Sequence, residues 1–130
     1  QARLWEAKVH FTQLSVHFRN EKYADKSIYL VPNQELSVVI SIHPHEHFTV
    51  QAEYQFTGSS YEGNDFENTQ EKLSSYGVLN LLYCYEPKPG ISFYARINNL
   101  LDKSYATIKY NGVWYPAAGR TLQCGVRYEF

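Results

Sequence analysis

Three histidines and a glutamate lie within five residues of each other, at His43, His45, Glu46 and His47. Imidazole and carboxylate groups are the ligands with which proteins bind zinc, copper and nickel ions. Pro44 interrupts the polar–apolar alternation of the neighbouring segments, so the cluster falls in a predicted turn. We expect a polar turn here, with no functional metal site and no resident cofactor.

Other side chains with reactive chemistry do not form a recognisable catalytic pattern. No serine, histidine and carboxylate, and no pair of carboxylates, have a spacing that indicates catalysis, so we do not expect an enzyme. The two cysteines, Cys84 and Cys124, fall on predicted strands that are separated by a third strand, and they face opposite sides. That placement excludes a disulfide, which needs Cα atoms within about 7 Å.

Composition restricts the class of protein. The net charge of −1 provides no basic surface, so nucleic acid is not an expected partner. Mean hydropathy is −0.45, and no stretch approaches the ~20 apolar residues that a spanning helix requires. Membrane β-strands need only about 9 to 11 residues of alternating character. The 12 tyrosines and 2 tryptophans suit the aromatic girdles at the two faces of a bilayer.

Alternation of apolar and polar residues is the main signal for secondary structure. It predicts seven strands, at about residues 5–12, 14–19, 35–42, 48–56, 76–86, 91–98 and 121–130. In the last of these, Leu122, Cys124, Val126, Tyr128 and Phe130 share one face. Long polar segments at about 20–33, 58–75 and 106–117 alternate with short turns. This asymmetry is typical of outer-membrane barrels, which have short periplasmic turns and longer extracellular loops.

The end of the chain carries the most specific motifs. They are a box of Asn99, Leu100, Asp102, Lys103 and Tyr105, a Gly119-Arg120 pair, and a final strand with Gln123, Gly125, Tyr128 and Phe130. Together they strongly resemble the C-terminal end of TonB-dependent outer-membrane receptors, with Leu101 where the family usually has Phe. The short last hairpin is most similar to the cobalamin and siderophore receptors.

This resemblance implies an all-β fold. The chain would be an antiparallel up-and-down transmembrane β-barrel segment of about seven strands, within a barrel of about 22 strands. Residues 1–130 would form the C-terminal portion of the receptor, without its plug, TonB box or signal peptide. The implied location is the bacterial outer membrane, and the implied activity is uptake of a scarce nutrient such as a ferric siderophore, cobalamin or haem.

The resemblance also implies partners. They are outer-membrane lipid, the barrel-assembly machinery, the TonB complex through a part of the receptor outside this chain, and a metal-chelate or corrinoid substrate. Gln123, Gly125, Tyr128 and Phe130 match the family's assembly signal, which resembles strand addition at an exposed edge. For the box we prefer a structural role, because Asn98, Asn99 and Asp102 can hydrogen-bond nearby backbone where a strand bends.

Four aromatic residues of the long loops are candidates for contacting a ligand. Tyr61, Phe66, Trp114 and Tyr115 could stack on a corrinoid, haem or siderophore chelate. The alternative is that these rings pack within the loops or in an aromatic girdle.

Three other functions remain open. Seven alternating strands also suit a soluble β-barrel or sandwich that binds a small ligand. The chain could be a barrel remnant that does not transport, or, least favoured, part of an outer-membrane hydrolase.

Overall fold

The computed structural model describes residues 4–129, and they form an almost entirely β-structure with one short 3-10 helix at Glu21–Tyr23. Six strands make one antiparallel sheet in the order β1-β2-β3-β4-β5-β8, and β6 and β7 form a separate hairpin. The strands are β1 Trp5–Gln13, β2 Gln34–His45, β3 Phe48–Thr57, β4 Tyr76–Lys88, β5 Ile91–Asn98, β6 Ala106–Tyr110, β7 Val113–Pro116 and β8 Thr121–Tyr128. The predicted antiparallel up-and-down sheet is therefore confirmed.

The register places the apolar sets of the six strands on one face. One cross-strand row consists of Ala7, Ile40, Ala52, Leu81, Ile97 and Leu122. Much of this face is open, as Val9 at 68% and Ile40 at 45% exposure illustrate. The opposite face carries mostly polar side chains, and the sheet does not close, since β1 and β8 lie at opposite ends of the strand order. A single open sheet also differs from the two packed sheets of a sandwich.

Both short turns follow a β-bulge that contains a proline. The register shifts between Ile42 and His45 in β2, around Pro44, and between Tyr85 and Lys88 in β4, around Pro87. Proline has no backbone N–H to donate, so a bulge is where an interior strand tolerates it. The turns themselves are short, and they lie at the end of the sheet opposite the long loops.

Three long loops, here named L1 (14–33), L2 (58–75) and L3 (99–120), lie at the other end of the sheet. The predicted strand at 14–19 is wrong, and the sheet has six strands where seven were predicted. The change of phase at Leu14 is not a tight turn, because the Leu14 N–H still donates to the Asn33 carbonyl at 2.9 Å. The segment runs outward beside residues 26–33 with scattered hydrogen bonds, including a single bridge between His17 and Ser27.

L3 is more ordered than the predicted loop at 106–117. It contains the hairpin of β6 and β7, with Asn111 and Gly112 in the turn at φ values of 48° and 76°. Two successive residues with positive φ are the requirement of a type I′ hairpin turn, which Asn-Gly satisfies best. The hairpin projects the Trp114 and Tyr115 side chains at the long-loop end.

Burial is concentrated at this end rather than along the sheet. Among residues 4–129 the buried apolar side chains are Leu73 and Val78, and the buried polar residues include Glu62, Asn99 and Lys109. Both cysteines are free, with Cys84 opposite Tyr94 and Cys124 opposite Ala95, on different faces as predicted. The described chain contains no helix with the length and apolarity that a bilayer crossing requires.

Candidate functional site

The polar face of the sheet carries a charged network across three neighbouring strands. Arg96 Nη2 on β5 lies 3.6 Å from Glu53 Oε2 on β3. Between them, Asn80 Nδ2 on β4 donates to the same carboxylate at 3.4 Å. Arg96 Nε is buried and has no hydrogen-bond partner within the described chain. This arrangement leaves a guanidinium with spare donor capacity on the polar face.

A cavity of about 460 Å³ opens on the polar face at the long-loop end. Its wall combines neutral hydrogen-bonding side chains with aromatic rings, namely Gln55, Asn80, Asn98, Thr121, Tyr76 and Tyr105. Pockets of this size, with a few convergent polar groups and aromatic walls, suit small-molecule ligands. This cavity is therefore the candidate binding site of the chain.

The Tyr76 and Tyr105 rings separate this cavity from a second one. They stack with centroids 4.4 Å apart, and both residues also line a neighbouring cavity of about 450 Å³. Trp114 and Lys103 contribute to the second wall, which is mainly apolar. The aromatic candidates chosen from sequence did not include Tyr76, because it opens a predicted strand and carries no motif. Tyr76 is identified only in the structure, where its ring stacks on the ring of the loop residue Tyr105.

The Asn99 side chain organises the bend that follows β5. Its amide Nδ2 donates to the Lys103 carbonyl at 2.9 Å, and its Oδ1 accepts from the Lys103 backbone N–H at 2.9 Å. Its own backbone N–H donates to Asn80 Oδ1 at 2.9 Å. The residue is 3% exposed and has φ of 51°, a left-handed conformation that asparagine tolerates. The two bonds with Lys103 are of the kind predicted for the box, whereas Asn98, also predicted to bond nearby backbone, donates to Thr121 Oγ1 at 3.1 Å.

The second half of the box joins the bend to the last strand. Asp102 Oδ1 accepts from the Arg120 backbone N–H at 2.8 Å, and Arg120 Nη1 donates to the Leu100 carbonyl at 3.4 Å. A Cβ atom at Gly119 would approach Asp102 Oδ1 to 3.0 Å, so glycine gives the carboxylate room. The two motifs thus contact each other across L3. Tyr105 contributes to the cavity wall, and Leu101 is exposed.

A buried ion pair fastens L3 to L2. Lys109 Nζ on β6 lies 3.2 Å from Glu62 Oε2 and 3.5 Å from Glu71 Oε2, and it also donates to the Glu71 carbonyl at 3.2 Å. The ammonium group lies 4.8 Å from the centre of the Trp114 ring, within cation–π range. The Gly63 N–H donates to the Lys109 carbonyl at 2.7 Å. Neither loop is free to move without breaking these contacts.

An aromatic cluster fastens L2 to L1. The Phe66 ring lies 5.1 Å from the rings of Tyr23 and Tyr29 and 5.7 Å from that of Phe18. Such pairs contribute about 0.5 to 1.5 kcal/mol each beyond their buried area. Beside the cluster, the pKa of Lys22 is raised. The larger cause is a side-chain hydrogen bond with Tyr23, and the next is the Coulomb interaction between Lys22 and Tyr23. Phe66 therefore packs within the loops.

The other three predicted ligand contacts have different environments. Tyr61 lies under Lys72, whose Nζ is 4.4 Å from the ring centre. Trp114 lines the second cavity and Tyr115 is exposed on β7. Of the four predicted residues, Trp114 is the one that lines the cavity beside the candidate binding site.

The predicted assembly signal lies on β8. Gln123, Gly125 and Tyr128 pair with Arg96, Tyr94 and Ile91 of β5. A side chain at Gly125 would overlap the ring of Tyr94, which lies across it. Phe130, the last residue of the predicted signal, lies outside the described residues.

No protein-family model and no curated protein matches the sequence. Solved structures do match it. The ferric-catecholate import receptor Fiu from E. coli K12, in its closed form, superimposes with a TM-score of 0.82 at 18% identity, over 99% of this chain and 19% of that one. The siderophore receptor PiuA from Acinetobacter baumannii gives 0.81 at 20% identity, over 98% of this chain and 20% of that one. The fold is that of a TonB-dependent siderophore-receptor barrel segment.

A third receptor supports the same fold. The ferric yersiniabactin uptake receptor FyuA from Yersinia pestis gives a TM-score of 0.81 at 18% identity, over 99% of this chain and 21% of that one. The segment thus spans about one fifth of the length of these siderophore receptors. At such identities the likeness concerns the fold, and at that level it confirms the predicted resemblance. All three are receptors.

Proposed function

We propose that this chain forms part of the wall and outer loops of an outer-membrane receptor that takes up a ferric siderophore by TonB-dependent transport. The observation that carries the proposal is the match of 98–99% of the chain to siderophore receptors at TM-scores of 0.81 to 0.82. Transport is assigned to the longer receptor, because the segment covers only about a fifth of such a protein. Cobalamin and haem remain alternative substrates.

The two faces of the sheet support a place in the outer membrane. The exposed apolar face, which includes Val9 and Ile40, suits contact with lipid. The face with Glu53 and Arg96 suits a water-filled or plugged lumen. L1, L2 and L3 would then lie outside the cell and the short turns in the periplasm.

Partners follow from this assignment. β8 would be recognised by the barrel-assembly machinery through strand addition, with Gln123, Gly125, Tyr128 and Phe130 as the signal. The TonB complex would act through a part of the receptor outside this chain. The substrate would be a metal chelate, and a corrinoid is the alternative class.

The candidate binding site would contact the substrate from the lumen side of L3. The Tyr76 and Tyr105 rings can stack on a flat aromatic chelate, while Asn80 and Asn98 can hydrogen-bond its polar groups. Trp114, which lines the second cavity, would form a wall on the other side of this site.

A pair of neighbouring substitutions tests the membrane assignment. Ile40→Arg places a charge on the proposed lipid face at the middle of β2, which should cost about 2 to 4 kcal/mol on folding into vesicles. Ser41→Arg places the same charge on the polar face and should cost little. Equal losses for the two variants would contradict the assignment.

Transport is tested on the full gene. Sequencing upstream of the Gln1 codon should reveal an in-frame plug and further strands that complete about 22. That protein, expressed in a receptor-deficient strain, should import iron-55 bound to a catecholate or phenolate siderophore. Tyr105→Ala should reduce uptake, while Tyr115→Ala serves as a matched loop control. A correctly inserted receptor that imports no siderophore, cobalamin or haem would be a barrel remnant that does not transport.

A further inference from the structure

The short turn between β2 and β3 places three potential metal ligands side by side. One ligand atom from each of His45, Glu46 and His47 lies within 4.8 Å of the other two. The rings of the two histidines have centroids 5.5 Å apart, and His47 Nε2 lies 3.4 Å from Glu46 Oε1. Two imidazoles and a carboxylate form a common donor set for divalent transition metals.

The bulge around Pro44 decides which histidines can act together. In a regular strand His43 and His45 would share one face, because side chains alternate with a period of two. The register shift between Ile42 and His45 inserts one residue, so His45 pairs with Phe48 on the apolar face. His43 remains on the polar face, where Nδ1 lies 3.1 Å from Thr49 Oγ1. Sequence alone groups three histidines, whereas the structure separates the first from the other two.

We propose that His45, Glu46 and His47 form a binding site for one divalent transition-metal ion such as Cu²⁺ or Zn²⁺. Ligand nitrogens and oxygens lie about 2.0 to 2.2 Å from a bound zinc ion, which puts them about 3.3 to 3.6 Å apart in a tetrahedral site. Ligand atoms 4.8 Å apart must therefore close by about 1.2 to 1.5 Å. They have the freedom to do so, since Glu46 is 78% exposed and His45 is exposed at the end of its strand. Solvent would complete the coordination.

The proposed metal site is independent of the proposed transport function. It lies at the short-turn end of the sheet, while the candidate binding site and all three loops lie at the other end. Either proposal can therefore fail without the other. Among divalent ions of the first row, copper should bind most tightly to such a nitrogen-rich set, followed by zinc or nickel.

The full chain folded in detergent should bind one equivalent of Cu²⁺, with electron paramagnetic resonance showing two nitrogen ligands. His45→Ala and His47→Ala should each weaken binding by about tenfold or more, because loss of outer-shell partners alone costs 10- to 100-fold. His43→Ala is the matched control and should bind as the unaltered chain does. Circular dichroism should be unchanged, since His43 and His45 lie at the end of β2 and His47 lies in the turn that follows it.

Two results would overturn the assignment. One is undiminished copper binding by the double variant His45→Ala/His47→Ala. The other is loss of binding in His43→Ala, which would place the ligands on the polar face. Competition with a zinc-responsive dye, run on the same variants, should give the same order of affinities.

Discussion

Lys109 Nζ lies 3.2 Å from Glu62 Oε2, and both side chains are only 8% exposed. These residues are distant in sequence and belong to different loops, so the pair fixes L3 against L2. Breaking a buried pair by removing one partner costs about 3 to 5 kcal/mol, because a buried charge is left without compensation. Lys109→Met should therefore loosen both loops and increase their rate of cleavage in limited proteolysis.

The double variant Lys109→Met/Glu62→Gln is the control for this pair. It removes both charges, so it should recover part of the lost protection. Glu71 is 81% exposed, and Glu71→Gln alone should change proteolysis little. A double variant that is cleaved as fast as Lys109→Met would show that packing, and not the buried charge, accounts for the effect.

Substitution of Asn99 should destabilise the bend after β5. Asn99→Ala removes both side-chain hydrogen bonds with Lys103 and puts alanine at a φ of 51°. We expect a loss of about 2 to 4 kcal/mol in the free energy of unfolding, measured by urea titration. Asn98→Ala removes one bond to Thr121 Oγ1, of 3.1 Å, and should cost about 1 kcal/mol. Similar losses for the two would contradict a special role for Asn99.

Substitutions at Gly125 test whether this glycine is needed for packing against Tyr94 or for recognition by the barrel-assembly machinery. Gly125→Ala should cost about 1 to 3 kcal/mol, because its Cβ would overlap the Tyr94 ring. The double variant Gly125→Ala/Tyr94→Ala should remove this overlap. It should therefore insert into lipid vesicles, which contain no assembly machinery, as the unaltered chain does. If the double variant then still fails to insert in cells, the glycine is also read by the assembly machinery.

Removal of Phe66 should detach L1 from L2. Phe66→Ala deletes the ring that contacts Phe18, Tyr23 and Tyr29, and we expect a loss of about 2 to 3 kcal/mol. Hydrogen exchange measured by mass spectrometry should become faster in residues 14–33. Tyr115→Ala, at an exposed position of β7, should leave that exchange unchanged.

Alternation alone predicted which residues share a face, because a strand with one apolar side has a period of two. It placed Cys84 and Cys124 correctly. It fails at Leu14, where a change of phase within a strand-like segment does not correspond to a turn. The Asn111-Gly112 pair already carried the signal for the β6–β7 hairpin, since flanking alternation with Asn-Gly is a strong indication of a type I′ turn.

Less of the candidate binding site could be predicted from the sequence. The stacking of Tyr76 on Tyr105 and the ion pair of Lys109 with Glu62 join segments that are far apart in the chain. Nothing in the local pattern of either partner indicates the other. The hydrogen bonds of Asn99 were predictable because most of their partners lie within a few residues.

Each neighbouring pair of strands in the sheet is also consecutive along the chain, except where the L3 hairpin intervenes between β5 and β8. The cost of closing a loop rises with its length, by about 0.6 kcal/mol for each doubling. The β2–β3 and β4–β5 hairpins, which have the short turns, should consequently form first during folding. L1, L2 and L3 would then close in later steps, and the ion pair and the aromatic cluster would form only after the wall is in place.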